Sequence, residues 1–302
     1  MSDGAAPPPP RSEAVPDDPV DARLARCAFP PAGTPVVCAV SGGPDSLALL
    51  VLAVRAGLEV TAVHVDHGLR PGSDTEADRV ATAARRFGAR FRAARVEIPP
   101  GGDLEQRARQ ARRAVLGPDA LTGHTADDQA ETVLINLLRG SGPWGLAAMT
   151  PGPPHPLLAL RRVDTQAVCR AAHLVPFADP SNDDPRFLRN RVRHELLPLM
   201  SDLSDRDPVP LLTRTAGHLR AAAAVIDAQA DGLDPRDTRA LAAVPPVVAT
   251  AALRRWLRDE HGHPPSAAEL QRVMAVVRHQ AEACELTGGR RLSRRRGRLA
   301  VS

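Results

Sequence analysis

The sequence contains no lysine and no tyrosine, and its 302 residues include only five phenylalanines and two tryptophans. So few rings argue against a platform on which single-stranded nucleic acid stacks its bases. A nucleic-acid partner has to be held by charge, hydrogen bonds and shape. Without lysine, the positive inventory of 39 residues is all arginine, whose planar fork matches phosphate bidentately and stays protonated in water. The missing lysine also excludes the GxxxxGK[ST] loop of kinases and GTPases. The four cysteines, Cys27, Cys38, Cys169 and Cys284, include no pair with the CxxC spacing of a zinc, iron–sulfur or thioredoxin-like site. They read as buried thiols of a reducing compartment. No apolar run approaches the ~20 residues of a membrane span. The N-terminus lacks the basic and apolar regions of a signal peptide, so a soluble, cytoplasmic protein is expected. A net charge of +4 permits a polyanionic partner without requiring one.

The chain opens with a Pro-rich, hydrophobe-poor stretch, expected to be a disordered arm over residues 1–25. Strand-like runs at 35–40, 59–68, 90–98 and 119–124 then alternate with helical runs at 46–57, 73–87, 104–116 and 127–140. Ser73 and Glu76 have the spacing of a capping box at the start of the second helix. This alternation predicts an α/β fold, a parallel sheet with helices on both faces. Ligands of such sheets bind beyond the carboxyl ends of the strands, where the polar turns 41–46, 66–70 and 123–128 fall. After about residue 200 the strand signal stops, and 208–231, 236–258 and 266–280 predict a small helical C-terminal domain. The basic tail from Thr287, with Arg290, Arg291, Arg294, Arg295, Arg296 and Arg298, reads as a closing hairpin.

Five segments carry candidate chemistry. Ser41-Gly42-Gly43-Pro44-Asp45-Ser46 follows a strand and opens a helix, where backbone N–H groups converge on an anion. Its glycines allow close approach to a phosphate, and Asp45 suits Mg²⁺. His64 and His67 flank a second strand end, and alternation along a strand puts them on opposite faces, against joint metal ligation. Asp127, Asp128 and Glu131 share one rim of a helix start, three carboxylates suited to Mg²⁺ or a cationic substrate. Glu105, Arg109 and Arg112 share one helix face, and Arg186, Arg189, Arg191 and Arg193 crowd the segment after Asp179-Pro180-Ser181-Asn182.

These segments, in this order between about residues 34 and 200, resemble the tRNA(Ile)-lysidine synthetase family of PP-loop enzymes. SGGPDS is similar to the family's SGGxDS, HVDHGLR to HxxHGLR, and EQRARQARRAVL to ExxARxxRYxxL. GHTADDQAET is similar to HHxxDxxET, and the stretch from Asp179 through Pro198 to DxSNxxxxxxRNxxRxxxxP. Two departures stand out: Thr125 replaces the second histidine of the HH pair, and Arg113 a common tyrosine.

The resemblance implies an adenine-nucleotide alpha-hydrolase-like fold, with residues 26–205 a PP-loop catalytic domain and 206–302 a helical tRNA-binding domain. It implies ATP and Mg²⁺, with Ser41, Gly42, Gly43, Pro44, Asp45, Ser46 and His64 at the nucleotide and Asp45 and Asp127 at the metal. Arg112, Asp128 and Glu131 would take L-lysine, Asp128 serving as base, and Arg189, Asn190 and Arg193 would face tRNA(Ile) with a CAU anticodon. A tRNA thiolase is the rival reading within the superfamily, and the scattered cysteines argue against it. Nothing in the sequence separates a monomer from a homodimer.

Overall fold

The computed structural model describes residues 18–66, 73–96, 111–112, 114–177, 184–260 and 262–302. The expected arm through residue 17, the turn His67–Arg70, Glu105, Arg109 and Arg113, and Asp179–Asn182 lie outside the described residues.

Residues Pro35–Ala39 (β1), Glu59–Asp66 (β2) and Arg90–Arg95 (β3) form a parallel sheet in the order β1-β2-β3. Pro35 pairs with Glu59 and Thr61 with Arg90, so the strands run in simple sequence order. The run at 119–124, expected to be a strand, contributes a single parallel bridge from Leu121 to Cys38 on the other edge of β1. Gly117 upstream has a left-handed φ of 82°, and only Leu121 exchanges ladder bonds with β1, through Val37 O and the Ala39 N–H.

Side chains alternate across a strand, and the two faces are covered separately. Cys38, Val40, Val60 and Ala62 join helices Pro44–Arg55 (α2) and Ser73–Arg86 (α3) in the main core. Val37, Ala39, Val63 and Val65 pack with Leu116 and Ala120 on the opposite face. Helix α2 is buried along eight consecutive positions from Ser46 to Ala53, which is why its sequence is apolar all round rather than striped. Helix Pro19–Leu24 (α1), within the stretch expected to be a disordered arm, is ordered by the Asp18 cap and by Val20 and Leu24, which with Val168 and Cys169 of helix Arg162–Ala171 pack against α2's side of the sheet.

The described residues up to Glu131, together with Met149–Pro210, make one compact unit. Thr132–Ala148 with Leu211–Ser302 make a second. In the second unit the expected helix at 236–258 is split by Pro245 into Thr238–Ala243 and Pro246–Trp256, as proline denies the helix a donor. Helix Ala267–Val277 begins with a full capping box between Ser266 and Glu269. The closing hairpin is present as Arg291–Arg295 against Arg298–Val301, and Ala283–Glu285 adds a third antiparallel strand. Leu286, Leu292 and Leu299 bring this sheet into the second core. Among the described residues no helix is long and apolar enough to cross a membrane.

Candidate active site

The turn between β1 and α2 is shaped by its own serine. Ser46 Oγ accepts from the N–H groups of Ser41 at 3.1 Å and Gly42 at 3.2 Å, and donates to Gly43 O at 2.9 Å. Gly42 has φ +90°, a conformation a side chain rarely adopts. Gly43 is the N-cap and supplies no side-chain hydrogen bond, so no side-chain oxygen caps the start of α2. That leaves the N–H cluster and dipole that favour an anion. His64 is buried on β2 with Nδ1 3.0 Å from Val40 O. A carbonyl only accepts, so Nδ1 carries the proton, and His64 braces the residue that leads into the turn.

Gly123 brings the acidic segment onto this turn. A Cβ there would meet Asp45 O at 2.6 Å and Ser46 N at 3.1 Å. Helix Ala126–Leu138 (α4) starts three residues later. Asp128 Oδ2 accepts from the Thr125 N–H at 2.9 Å and the Thr125 hydroxyl at 3.0 Å. Thr125 therefore takes part in capping, turned toward Asp128.

Three carboxylates from two motifs meet one guanidinium. Arg162 Nη2 is 3.3 Å from Asp128 Oδ1 and 3.3 Å from Glu131 Oε1, and its Nε is 3.7 Å from Asp45 Oδ2. Glu131 is fully buried and also receives Arg189 Nε at 2.9 Å and Arg193 through two bonds at 2.7 and 3.1 Å. Asp127 is clamped elsewhere, by Arg161 at 3.0 and 3.1 Å and by the Arg162 N–H at 2.8 Å. Thr165 hydrogen-bonds the Asp45 carboxylate from the next turn of the Arg162 helix.

These surroundings separate the carboxylates electrostatically. Burial, reinforced by the Asp128 charge, pushes Asp45 up to about 6 against the Thr165 bond and the Arg162 and Arg193 charges. Burial also raises Asp128, but Arg162, the Thr125 amide, Arg189 and His124 outweigh it and hold the group below the usual range. For Asp127, burial is outweighed by the Arg161 bonds and the Arg162 amide, so it too is lowered. Asp45 is the site's strained carboxylate, and a cation would relieve it.

The arginine-rich segment does not present the face expected of it. Arg189 and Arg193 point inward to Glu131, and Asn190 is buried with its amide donating to Asp184 O at 2.9 Å. They sit on a helix running from Leu188–Arg191 through a π-helical stretch, Val192–Leu196, into Leu197–Ser204. Such stretches recur at functional sites. Arg112 lies close enough to His124 for its charge to act on that ring.

Sequence reasoning missed Arg161, Arg162 and Thr165. A signal existed: two arginines open a helix, the end at which the macrodipole opposes positive charge, so they called for carboxylate partners.

The family described as PP-loop domain matches residues 17–200, and the one described as TilS substrate binding domain matches residues 237–300. The tRNA(Ile)-lysidine synthase of Nocardia farcinica is 43% identical over 265 residues, covering 82% of this chain and 83% of that protein. The enzyme of the same description from Thermobifida fusca is 40% identical over 301 residues, covering 90% and 93%. Among solved structures, the U34-tRNA thiolase NcsA from Methanococcus maripaludis has a TM-score of 0.54 at 15% identity, covering 66% of this chain and 78% of that one. That likeness concerns the fold alone. With the uncapped glycine turn, the arginine-bound carboxylates and relatives matched over most of both chains, the chain belongs to the tRNA(Ile)-lysidine synthase family.

Proposed function

We propose that this chain joins L-lysine to C2 of the wobble cytidine of tRNA(Ile) with a CAU anticodon, at the cost of ATP. The cytidine O2 attacks the α-phosphate, pyrophosphate leaves, and the lysine side-chain amine then displaces AMP from C2. The observation that carries this reading is Arg162, which gathers the carboxylate of the phosphate-binding turn and those of the acidic helix into one site.

The Gly43 amide, the Ser41 hydroxyl and the first amides of α2 would take phosphate, while Ser46, which holds the Ser41 and Gly42 amides, keeps the turn in shape, and Pro44 and Asp45 open the helix beneath it. His64 supports this wall from behind. Magnesium fits Asp45, the carboxylate with the least charge compensation, since the ion is commonly held by one or two carboxylates plus substrate phosphates. It does not fit Asp127, whose oxygens are already taken by Arg161 and the Arg162 amide. When bound, the ion spreads the charge that builds at phosphorus.

Asp128 and Glu131 supply the negative field that draws in lysine, and Arg112 meets its carboxylate. An amine with an ordinary pKa of ~10.4 must lose a proton before it attacks. Asp128 is the base nearest the incoming amine, and Asp45 has the higher affinity for a proton. Arg189 keeps a third of its side chain exposed and offers that edge to RNA phosphate, with Asn190 and Arg193 fixing its helix. Such contacts position the RNA rather than read bases.

Labelled lysine incorporation into tRNA(Ile) transcript, with ATP and Mg²⁺ and a tRNA(Met) control, tests the reading. Lysine- and ATP-dependent labelling of the first transcript alone is expected. ATP cleavage without labelling moves the acceptor elsewhere. Asp128→Asn is expected to cripple incorporation in a folded protein, and unchanged turnover would sink its assignment.

A further inference from the structure

Thr122, His124 and His155 form a triangle beside the acidic helix. Thr122 Oγ lies 2.8 Å from Nδ1 of His124 and 2.8 Å from Nδ1 of His155, and the two nitrogens are 3.4 Å apart. The rings meet edge to face, with centroids 5.1 Å apart. The Thr122 hydroxyl also donates to Pro154 O at 2.9 Å. That bond uses its only proton, so toward the imidazoles the oxygen can only accept. Two lone pairs facing two ring nitrogens put a hydrogen on each Nδ1. His124 is left with Nε2 as a lone pair, and no described residue bonds it.

His155 reaches this place from outside the motif, 31 residues beyond His124. It sits in a tight turn closed by its own N–H on Gly152 O at 2.9 Å, between Pro154 and Pro156. The family's paired histidine is Thr125 here, and Thr125 is committed to Asp128. The second imidazole against His124 therefore comes from a different part of the chain.

We propose that His155 is a positioning residue for lysine transfer: with Thr122 it fixes His124 as the Nδ1–H tautomer and presents Nε2 as the acceptor that orients the attacking amine. The inference rests on the reading of the reaction given above. His124 directly precedes Thr125, whose amide and hydroxyl bind Asp128, and the Asp128 and Arg189 charges act on its ring, so the ring borders the carboxylate cluster where that amine arrives. Burial lowers His124 to about 4, Asp128 opposes this, and His155, Arg189 and Arg112 reinforce it. The ring is thus neutral, as an acceptor must be.

The experiment compares wild type, His155→Ala and His155→Asn in the full chain, following pyrophosphate release and labelled lysine incorporation separately. His155→Ala should lower kcat for incorporation about tenfold and leave the KM for ATP unchanged. Its acid limb should move to higher pH, because a group that lowers His124 has gone. His155→Asn, whose amide restores a donor to Thr122, should recover to within about threefold of wild type. Long-range ¹⁵N spectra of the His124 ring should report the Nδ1–H tautomer at pH 7 in wild type and a mixture in His155→Ala. An asparagine variant no better than alanine, an unmoved acid limb, or an Nε2–H tautomer in wild type would each overturn the proposal. Wild type that makes no lysine product fails the reaction reading instead, and the spectra then still decide the tautomer.

Discussion

A methyl group on Gly123 would stand 2.6 Å from the carbonyl oxygen of Asp45. The acidic segment is thus seated directly on the first turn of α2, backbone against backbone. Gly123→Ala has to push the two apart, at a cost of ~1–3 kcal/mol for an overpacked site. We expect a lower Tm and at least a tenfold loss of ATP cleavage. A variant with wild-type melting and turnover would show that the contact has slack.

Glu131 is fully buried and serves three guanidinium groups. Replacing it with glutamine leaves those charges under-compensated, and breaking a buried pair costs ~3–5 kcal/mol. Denaturant unfolding of Glu131→Gln should reveal this as a large fall in midpoint. Arg186→Ala is the control. It removes an equally short ion pair, with Asp184 at 2.7 Å, but Arg186 is 85% exposed, and its midpoint should match wild type.

Asp45 titrates near 6 in the folded protein against 3.8 for the free group. The folded state therefore holds a proton that the unfolded chain has released between those values, and stability falls as pH rises through that window. Without Mg²⁺ or ATP, Asp45→Asn should melt higher than wild type at pH 7.5 and level with it below pH 4. Parallel curves for the two proteins would remove Asp45 as the strained group.

Magnesium dependence should separate two neighbouring aspartates. Asp45→Asn is expected to raise the Mg²⁺ concentration needed for half-maximal ATP cleavage. Asp127→Asn should leave that concentration alone and lower Tm, because its carboxylate holds Arg161 and the Arg162 amide. The opposite pattern would return the metal to Asp127.

The parallel sheet was legible because β1 and β2 are short apolar runs closed by polar turns, β3 recurs after the next helical run although three of its six residues are arginine, and the helix after Gly43 begins where its proline permits. The turn at 41–46 and the nearness of Asp128 to Glu131 could be read for the same reason, that their geometry is local, whereas Asp127, expected on the same rim, is drawn away by Arg161. The direction in which Arg189 and Arg193 point was not local. Arginines four apart suit a solvated face as well as they suit a buried acid, and the burial of Glu131 depends on a helix about sixty residues away in the chain. His155 was invisible for the same cause, as its partner lies 31 residues upstream. The bridge at Leu121 fell short of a strand because hydrophobic pattern does not report how far a neighbour's edge extends.

Among the described residues, Arg162, Arg189 and Arg193 meet the carboxylate cluster through guanidinium groups, and the chain owns no side-chain amine anywhere. A guanidinium keeps its proton and does not compete as a nucleophile. On the proposed reading, an activated base held among these residues faces a contest with few entrants. No side-chain amine of the enzyme can stand in for that of the lysine that was admitted.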